Sequence, residues 1–335
     1  MPIKEAFAQI AENFWILGSY EYPLYLFWRD TEAALFEGGV GPVGPLVCRQ
    51  LEELGVGRGS KKGSELFFRP PSPDPLSRSE KIVLTPFSLT QIVIPHAHPD
   101  HVMAVPLLRE VFPQVRILAS QPAATVLATE KAIAQFCQID DAITDGMLKR
   151  GWITPQQRRA PLAENRIPVD CVLKEGDTVT VAGVPFQVLE TPGHSDCSLS
   201  FHQPERGILL VSDAVGYHAQ ELDYWWPNYF SGYRAYRASI ERLKGLKAEI
   251  LCLGHHGIVR GADEVKSYLD TAMAATEQYH QRIIEQLRAG CTVRQLAEEL
   301  GTEVYDQLHL LPVDFFQKNC SVLVKQSARQ EGIST

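Results

Sequence analysis

The chain lacks several features that would place it in a class at once. No run of about 18 apolar residues occurs, so nothing reads as a membrane-spanning helix. The opening Met-Pro-Ile-Lys-Glu-Ala-Phe-Ala has neither the basic region nor the apolar stretch of a secretory signal, and the expected compartment is the cytoplasm. Cys-x-x-Cys is absent. The seven cysteines, at 48, 137, 171, 197, 252, 291 and 320, are scattered and odd in number, which argues against a thiolate zinc site or a redox pair and for reduced, mostly buried thiols. Positive charge is scarce as well: the formal net charge is -8, and basic residues come as pairs (Lys61-Lys62, Arg158-Arg159) rather than stripes. Nucleic-acid affinity rests on neutralising phosphates, so a polyanion is not the expected partner.

What the chain has is enough apolar material, 45% of 335 residues, for one large α/β domain with a smaller appendage. Short β-rich segments at 14–17, 24–27 and 33–36, broken by polar or Gly/Pro residues, read as a meander of strands. A helix is expected near 44–55. Residues 56–80 change to Gly, Ser, Lys and Pro and read as an exposed excursion, either a lid or an insertion. Further strands are expected at 91–94, 115–118, 178–181, 185–190, 199–202, 207–211 and 249–253, with helices from near Met103 and at 233–246. Residues 121–168 carry helical stretches and read as an insertion between core strands. After about residue 262 the strands stop, and helices near 263–289, 292–300 and 312–328 follow. The division is a domain over 1–262 and a helical cap over 263–335, a mixed sheet core with helices segregated at the end.

Five of the ten histidines fall in a dense pattern: His96-Ala97-His98-Pro99-Asp100-His101, then His194 in Thr-Pro-Gly-His-Ser, then His255 in Leu-Gly-His-His-Gly. With Asp100 and with Asp213 in Val-Ser-Asp-Ala-Val they offer seven nitrogen and oxygen ligands, enough for two divalent ions. Imidazole suits zinc and iron, and carboxylates add harder donors, so a set without thiolate fits a hydrolytic metal pair. Two ions about 3.5–4 Å apart share a water, lower its pKa and present it as hydroxide at neutral pH. The other histidines, His202, His218, His280 and His309, read as surface or satisfied core residues. His218 and Tyr217 have a second reading: each follows Asp213 closely enough to donate a proton or hydrogen bond to a leaving group. The aromatic stretch from Tyr217 through Tyr224-Trp225-Trp226-Pro227-Asn228-Tyr229-Phe230 reads either as a substrate wall or as packing at a sheet edge.

Through these motifs the chain resembles the metallo-β-lactamase superfamily over roughly residues 12–260, with His-x-His-x-Asp-His the most specific of them. The resemblance implies an αββα sandwich with a helical C-terminal extension and two divalent metal ions, zinc first, iron or manganese as alternatives. It also implies that His96, His98 and His194 hold one ion, that Asp100, His101 and His255 hold the other, and that Asp213 bridges them. Alignment favours His255 over His256 as the last ligand. Two departures fall beside the ligands: Glu37-Gly38-Gly39 where relatives commonly have Asp-x-Gly, and Pro95 where they have Thr.

The fold does not fix the substrate. The favoured reaction is hydrolysis of a small ester, thioester or lactone by a metal-bridging hydroxide, with Asp100, Tyr217 and His218 as candidate catalytic groups and a small molecule as partner. The alternatives are a phosphodiesterase or ribonuclease, a flavodiiron-like redox protein, and a metal-binding protein without turnover. The helical tail either closes over the active site, as in glyoxalase-II-like thioesterases, or serves as a structural or dimer-forming cap, the structural role being slightly favoured.

Overall fold

A computed structural model describes residues 3–56, 88–309 and 311–334. One sheet has seven strands in chain order: β1 (Ala8–Ala11), β2 (Phe14–Gly18), β3 (Pro23–Arg29), β4 (Glu32–Phe36), β5 (Ser88–Val93), β6 (Arg116–Ser120) and β7 (Cys171–Leu173). Its first four strands form the expected antiparallel meander, and β4 to β7 run parallel. Parallel neighbours need crossovers, and these carry α1 (Gly44–Glu53), α2 (Val105–Val111), α3 (Gln121–Leu127) and α4 (Glu130–Lys149). The last two make up most of the insertion expected over 121–168. The excursion expected at 56–80 falls, apart from Val56, outside the described residues.

The second sheet is built from β8 (Thr178–Val181), β9 (Val184–Glu190), β10 (Leu199–Gln203), β11 (Ile208–Ser212), β14 (Ile250–Leu253) and β15 (Ile258–Arg260), in the order β15-β14-β11-β10-β9-β8. A separate hairpin, β12 (Tyr217–Ala219) and β13 (Tyr224–Trp226), rises after β11. The remaining helices are α5 (Tyr233–Lys244), α6 (Ala262–Arg288), α7 (Val293–Leu308) and α8 (Val313–Gln330). β1, β7, β15 and the hairpin are additions to the strands expected from sequence.

Successive strand residues point to opposite faces, and here both faces are buried, so the strands read as continuous apolar runs. In β3, Leu24 and Leu26 join the core that includes the helices, whereas Tyr25 and Phe27 face the space between the sheets. β11 does the same with Leu209 and Val211 against Ile208 and Leu210. Between the sheets Phe27 and Phe36 meet Phe186 of β9 with ring centroids 5.3 and 4.9 Å apart. Each such fully buried ring contributes on the order of 1.5–3 kcal/mol. The result is the expected αββα layering with a helical C-terminal region.

Candidate metal centre

Each candidate ligand lies just beyond the C-terminal end of a strand. β5 is followed by His96, His98, Asp100 and His101; β9 by His194; β11 by Asp213; β14 by His255. The first four come from one sheet and the last three from the other, so the ligands converge where the two sheets share an edge. Three groups have donor atoms within 4.8 Å of one another: His96, His98 and His194; His96, His101 and Asp213; and Asp100, His101 and His255.

In the first group Nε2 of His194 is 3.2 Å from Nε2 of His96 and 2.9 Å from Nδ1 of His98. In the third, Nε2 of His255 is 3.4 Å from Asp100 Oδ2, and Nε2 of His101 is 3.5 Å from the same oxygen. Asp213 touches both sides: Oδ1 is 3.5 Å from His255 Nε2, while Oδ2 is 3.5 Å from His194 Nε2 and 3.7 Å from His101 Nε2.

The outer nitrogens fix which atoms face inward. His101 donates from Nδ1 to Glu37 Oε2 at 2.8 Å, His194 from Nδ1 to the Asn228 carbonyl at 3.0 Å, and His255 from Nδ1 to the Glu21 carbonyl at 2.8 Å. A neutral imidazole that donates outward presents a lone pair inward. Glu37 therefore supplies the carboxylate partner at the position where the sequence departs from the common Asp. Pro95, the other departure, uses its carbonyl to accept from the Leu199 amide at 2.8 Å. The His255 loop is also tied to the first sheet, because the Tyr25 hydroxyl lies 2.7 Å from the carbonyls of Leu253 and Gly257.

Lone pairs facing lone pairs and carboxylates repel unless a cation or proton lies between them. Among the described residues His101 Nε2 and Asp213 Oδ1 are buried without a hydrogen-bond partner. Burial keeps His96 and His194 below the usual imidazole range and His98 down to about 3. Burial opposes protonation of His101 and His255 too, but Glu37, Asp100 and Asp213 outweigh it at His101, and Asp213 and Asp100 raise His255 to about 10. Burial likewise opposes ionisation of Asp100 and Asp213, yet the His101 and His255 rings hold both below the usual carboxylate range. The donor set fits divalent metal: imidazoles on one side, carboxylates and imidazoles on the other, and no thiolate.

His256 turns away from this group. It has a left-handed backbone at φ 60°, and its Nε2 accepts from the Tyr217 hydroxyl at 2.6 Å. Tyr217 stands beside the ligands, its ring centroid 5.1 Å from that of His255. His218 is not brought to the site. Its ring stacks on Trp225 at 4.0 Å and 9°, and its Nε2 lies 3.5 Å from Asp223 Oδ1. The next residue on a strand points the other way, which is why Tyr217 and His218 part company.

His98, Asp100, His194, Asp213 and His255 line a cavity of about 560 Å³. Of the aromatic stretch, Tyr217, Trp226 and Phe230 line it with Asn228, whereas His218, Tyr224, Trp225 and Tyr229 do not. Two further walls come from segments with no metal motif: Phe136, Ile139 and Ile143 on one face of α4, and Phe315, Phe316 and Val322 of α8. The tail thus takes part in the cavity, beyond the structural role favoured from its composition. The signal was present as apolar residues three to four apart, but that pattern marks a buried face without saying what it faces.

Residues 24–255 match the model of the Lactamase_B family, the metallo-beta-lactamase superfamily. A hydroxyacylglutathione hydrolase of Stenotrophomonas maltophilia is 25% identical over 229 residues, which are 66% of this chain and 69% of that protein. An uncharacterized protein of Aquifex aeolicus is 26% identical over 176 residues, 52% of this chain and 68% of that one. Among solved structures, a metallo-beta-lactamase family protein of Thermus thermophilus matches with a TM-score of 0.59 at 19% identity, covering 97% of this chain and 95% of that chain. A subclass B3 metallo-beta-lactamase of Bradyrhizobium japonicum matches with a TM-score of 0.52 at 15% identity, covering 86% and 97%. At these identities the structural likenesses speak to the fold. The family match runs from the third strand through every candidate ligand to His255, and the chain belongs to the metallo-β-lactamase superfamily.

Proposed function

We propose that this chain is a binuclear metal-dependent hydrolase of a small ester, thioester or lactone. The observation that carries it is the pair of ligand groups joined through Asp213, whose two oxygens reach toward His255 on one side and toward His194 and His101 on the other. His96, His98 and His194 would hold one ion, Asp100, His101 and His255 the second, and Asp213 both. Two divalent ions so held would supply Lewis acidity, to activate water and to polarise a carbonyl oxygen. Similarity to hydroxyacylglutathione hydrolases supports acyl transfer to water as the reaction class.

The chain's own residues do the rest. Glu37, the Glu21 carbonyl and the Asn228 carbonyl orient three imidazoles so that their Nε2 atoms face the cluster, where a metal ion would replace the proton that the carboxylates hold on His101 and His255. Tyr217, its acidity suppressed chiefly by burial, stays neutral, and its one hydroxyl proton, held on His256, becomes available to an oxygen or sulfur at the ligand cluster only by leaving that acceptor. Trp226, Phe230 and the α4 and α8 side chains exclude water around the reacting group.

The test is turnover by protein loaded separately with zinc, manganese and iron(II), offered matched thioester, lactone and phosphodiester substrates, with Asp100→Asn beside it. Metal-dependent cleavage of the thioester or lactone, reduced at least about 100-fold in Asp100→Asn, is the expected result. Cleavage of the phosphodiester alone would replace the acyl class, and two bound ions without any turnover would end the hydrolase reading.

A further inference from the structure

The cavity extends well beyond the ligands, and its far part has a chemistry of its own. Away from the metal cluster its walls are mostly apolar, from Ile139 and Ile143 of α4 across to Leu311 and Phe316 at the C-terminal helices, with Gln135, Gln307 and Asn319 among them. Among the described residues the exposed large hydrophobics are Val172, Leu222 and Val322, and the latter two lie on this cavity. An apolar surface left open at the mouth of a site is what an apolar ligand covers.

Within this apolar lining stands Arg150, at the C-terminal end of α4. Its guanidinium donates from Nη2 to the Leu308 carbonyl at 2.8 Å and lies 4.8 Å over the Trp152 ring, so it is held in one orientation. No carboxylate among the described residues pairs with it. Among the described residues the other lysine or arginine lining the cavity, Lys4, is already engaged, 3.8 Å from Glu221 and 4.1 Å over the Tyr20 ring. Glu21 and Glu221 flank Lys4, and Arg150, whose Trp152 neighbour accepts from the Ile3 amide at 3.0 Å on the same rim, is the cation there left without a carboxylate. A planar guanidinium fixed by stacking, with donors left over, is suited to a carboxylate or phosphate.

We propose that the substrate carries an apolar body between its scissile carbonyl and an anionic group, the body lying along the channel between α4 and α8 and the anion on Arg150. For what happens at the metal end this rests on the hydrolase reading; for binding it does not. A polar acyl group would lose water against mostly aromatic and aliphatic walls, with Gln135, Gln307 and Asn319 as the few polar side chains there, so the channel favours an apolar one.

Calorimetric titration of the metal-loaded protein with octanoate, butyrate and octanol tests the assignment without turnover. Octanoate is expected to bind at least tenfold more tightly than either butyrate or octanol. Arg150→Gln is expected to remove the advantage of octanoate over octanol while octanol affinity stays within about twofold, which also reports an intact channel, and Arg150→Lys is expected to keep part of the advantage. Ile139→Trp, which fills the channel from a partly buried helix face, is expected to weaken both eight-carbon ligands. Octanoate affinity unchanged in Arg150→Gln would place the carboxylate elsewhere and overturn the proposal, as would equal binding of butyrate and octanoate. The same preparations are assayed for thioester hydrolysis. Binding as expected with no hydrolysis refutes the hydrolase reading alone, and hydrolysis of a short acyl thioester without octanoate binding refutes the channel assignment alone.

Discussion

Glu37 shows how a single residue tunes a site it does not enter. Its carboxylate, buried in the first sheet's edge, accepts from His101 Nδ1 at 2.8 Å and leaves Nε2 directed at Asp100 and Asp213. Glu37→Gln keeps the shape and an accepting oxygen but removes the charge that makes His101 a strong donor. Affinity for the ion held by Asp100, His101 and His255 should fall roughly 10–100-fold, with the His96, His98 and His194 ion retained longer. Competition with a chromogenic chelator reads both steps, and two unchanged affinities would show that Glu37 merely fills space. The ligands themselves were legible in sequence because metal sites of this kind draw several donors from one tight turn, as at 96–101. What orients them was not: two of the three partners are main-chain carbonyls, at Glu21 and Asn228, and any residue type can supply one. Tyr217 and His218 looked alike in sequence and differ in the structure only because strand β12 sends them to opposite faces.

The same limit appears among the elements. Periodicity placed α6 and α8 within a residue or two, whereas α7 was expected to stop at 300 and runs to Leu308. Gly301 gives the false stop. It is buried where α7 crosses α8, and a Cβ there would run into the backbone of Gln317. Sequence cannot distinguish a glycine that ends a helix from one that lets two helices touch, because the partner lies in another segment. Gly301→Ala separates the two roles by sign. Alanine's helix propensity alone would stabilise by about 1 kcal/mol. Overpacking against backbone costs about 1–3 kcal/mol and should win, leaving a net loss of up to about 2 kcal/mol measured by urea unfolding. A gain would mean that the α7–α8 contact is loose. Strands β7, β12, β13 and β15 went unread for a related reason: at three residues each they carry too little pattern, and their existence depends on a partner rather than on their own composition.

At the scale of the molecule, the ligand cluster joins the two sheets. His96, His98, Asp100 and His101 follow a strand of the first sheet, and His194, Asp213 and His255 follow strands of the second, with His101 and Asp213 only 3.7 Å apart. The inter-sheet core of Phe27, Phe36 and Phe186 holds the sheets together below this edge, but at the edge itself the burial of two carboxylates and five imidazoles, with His101 Nε2 and Asp213 Oδ1 left unpartnered, opposes closure. A cation that binds only the folded chain reverses that opposition and stabilises the fold by mass action, by about 2.7 kcal/mol at a free concentration 100 times its Kd. Stripping the metals with a chelator should therefore lower the thermal midpoint. In a chain of this length a loss of that size corresponds to several degrees, on the scale of about 2–4 °C per kcal/mol for domains of 150–250 residues. Asp213→Asn, which weakens the one group shared by both sides, should abolish most of the difference between loaded and stripped protein. Equal midpoints for loaded and stripped wild type would mean that the sheets are already set without the ions and that the cluster contributes chemistry alone.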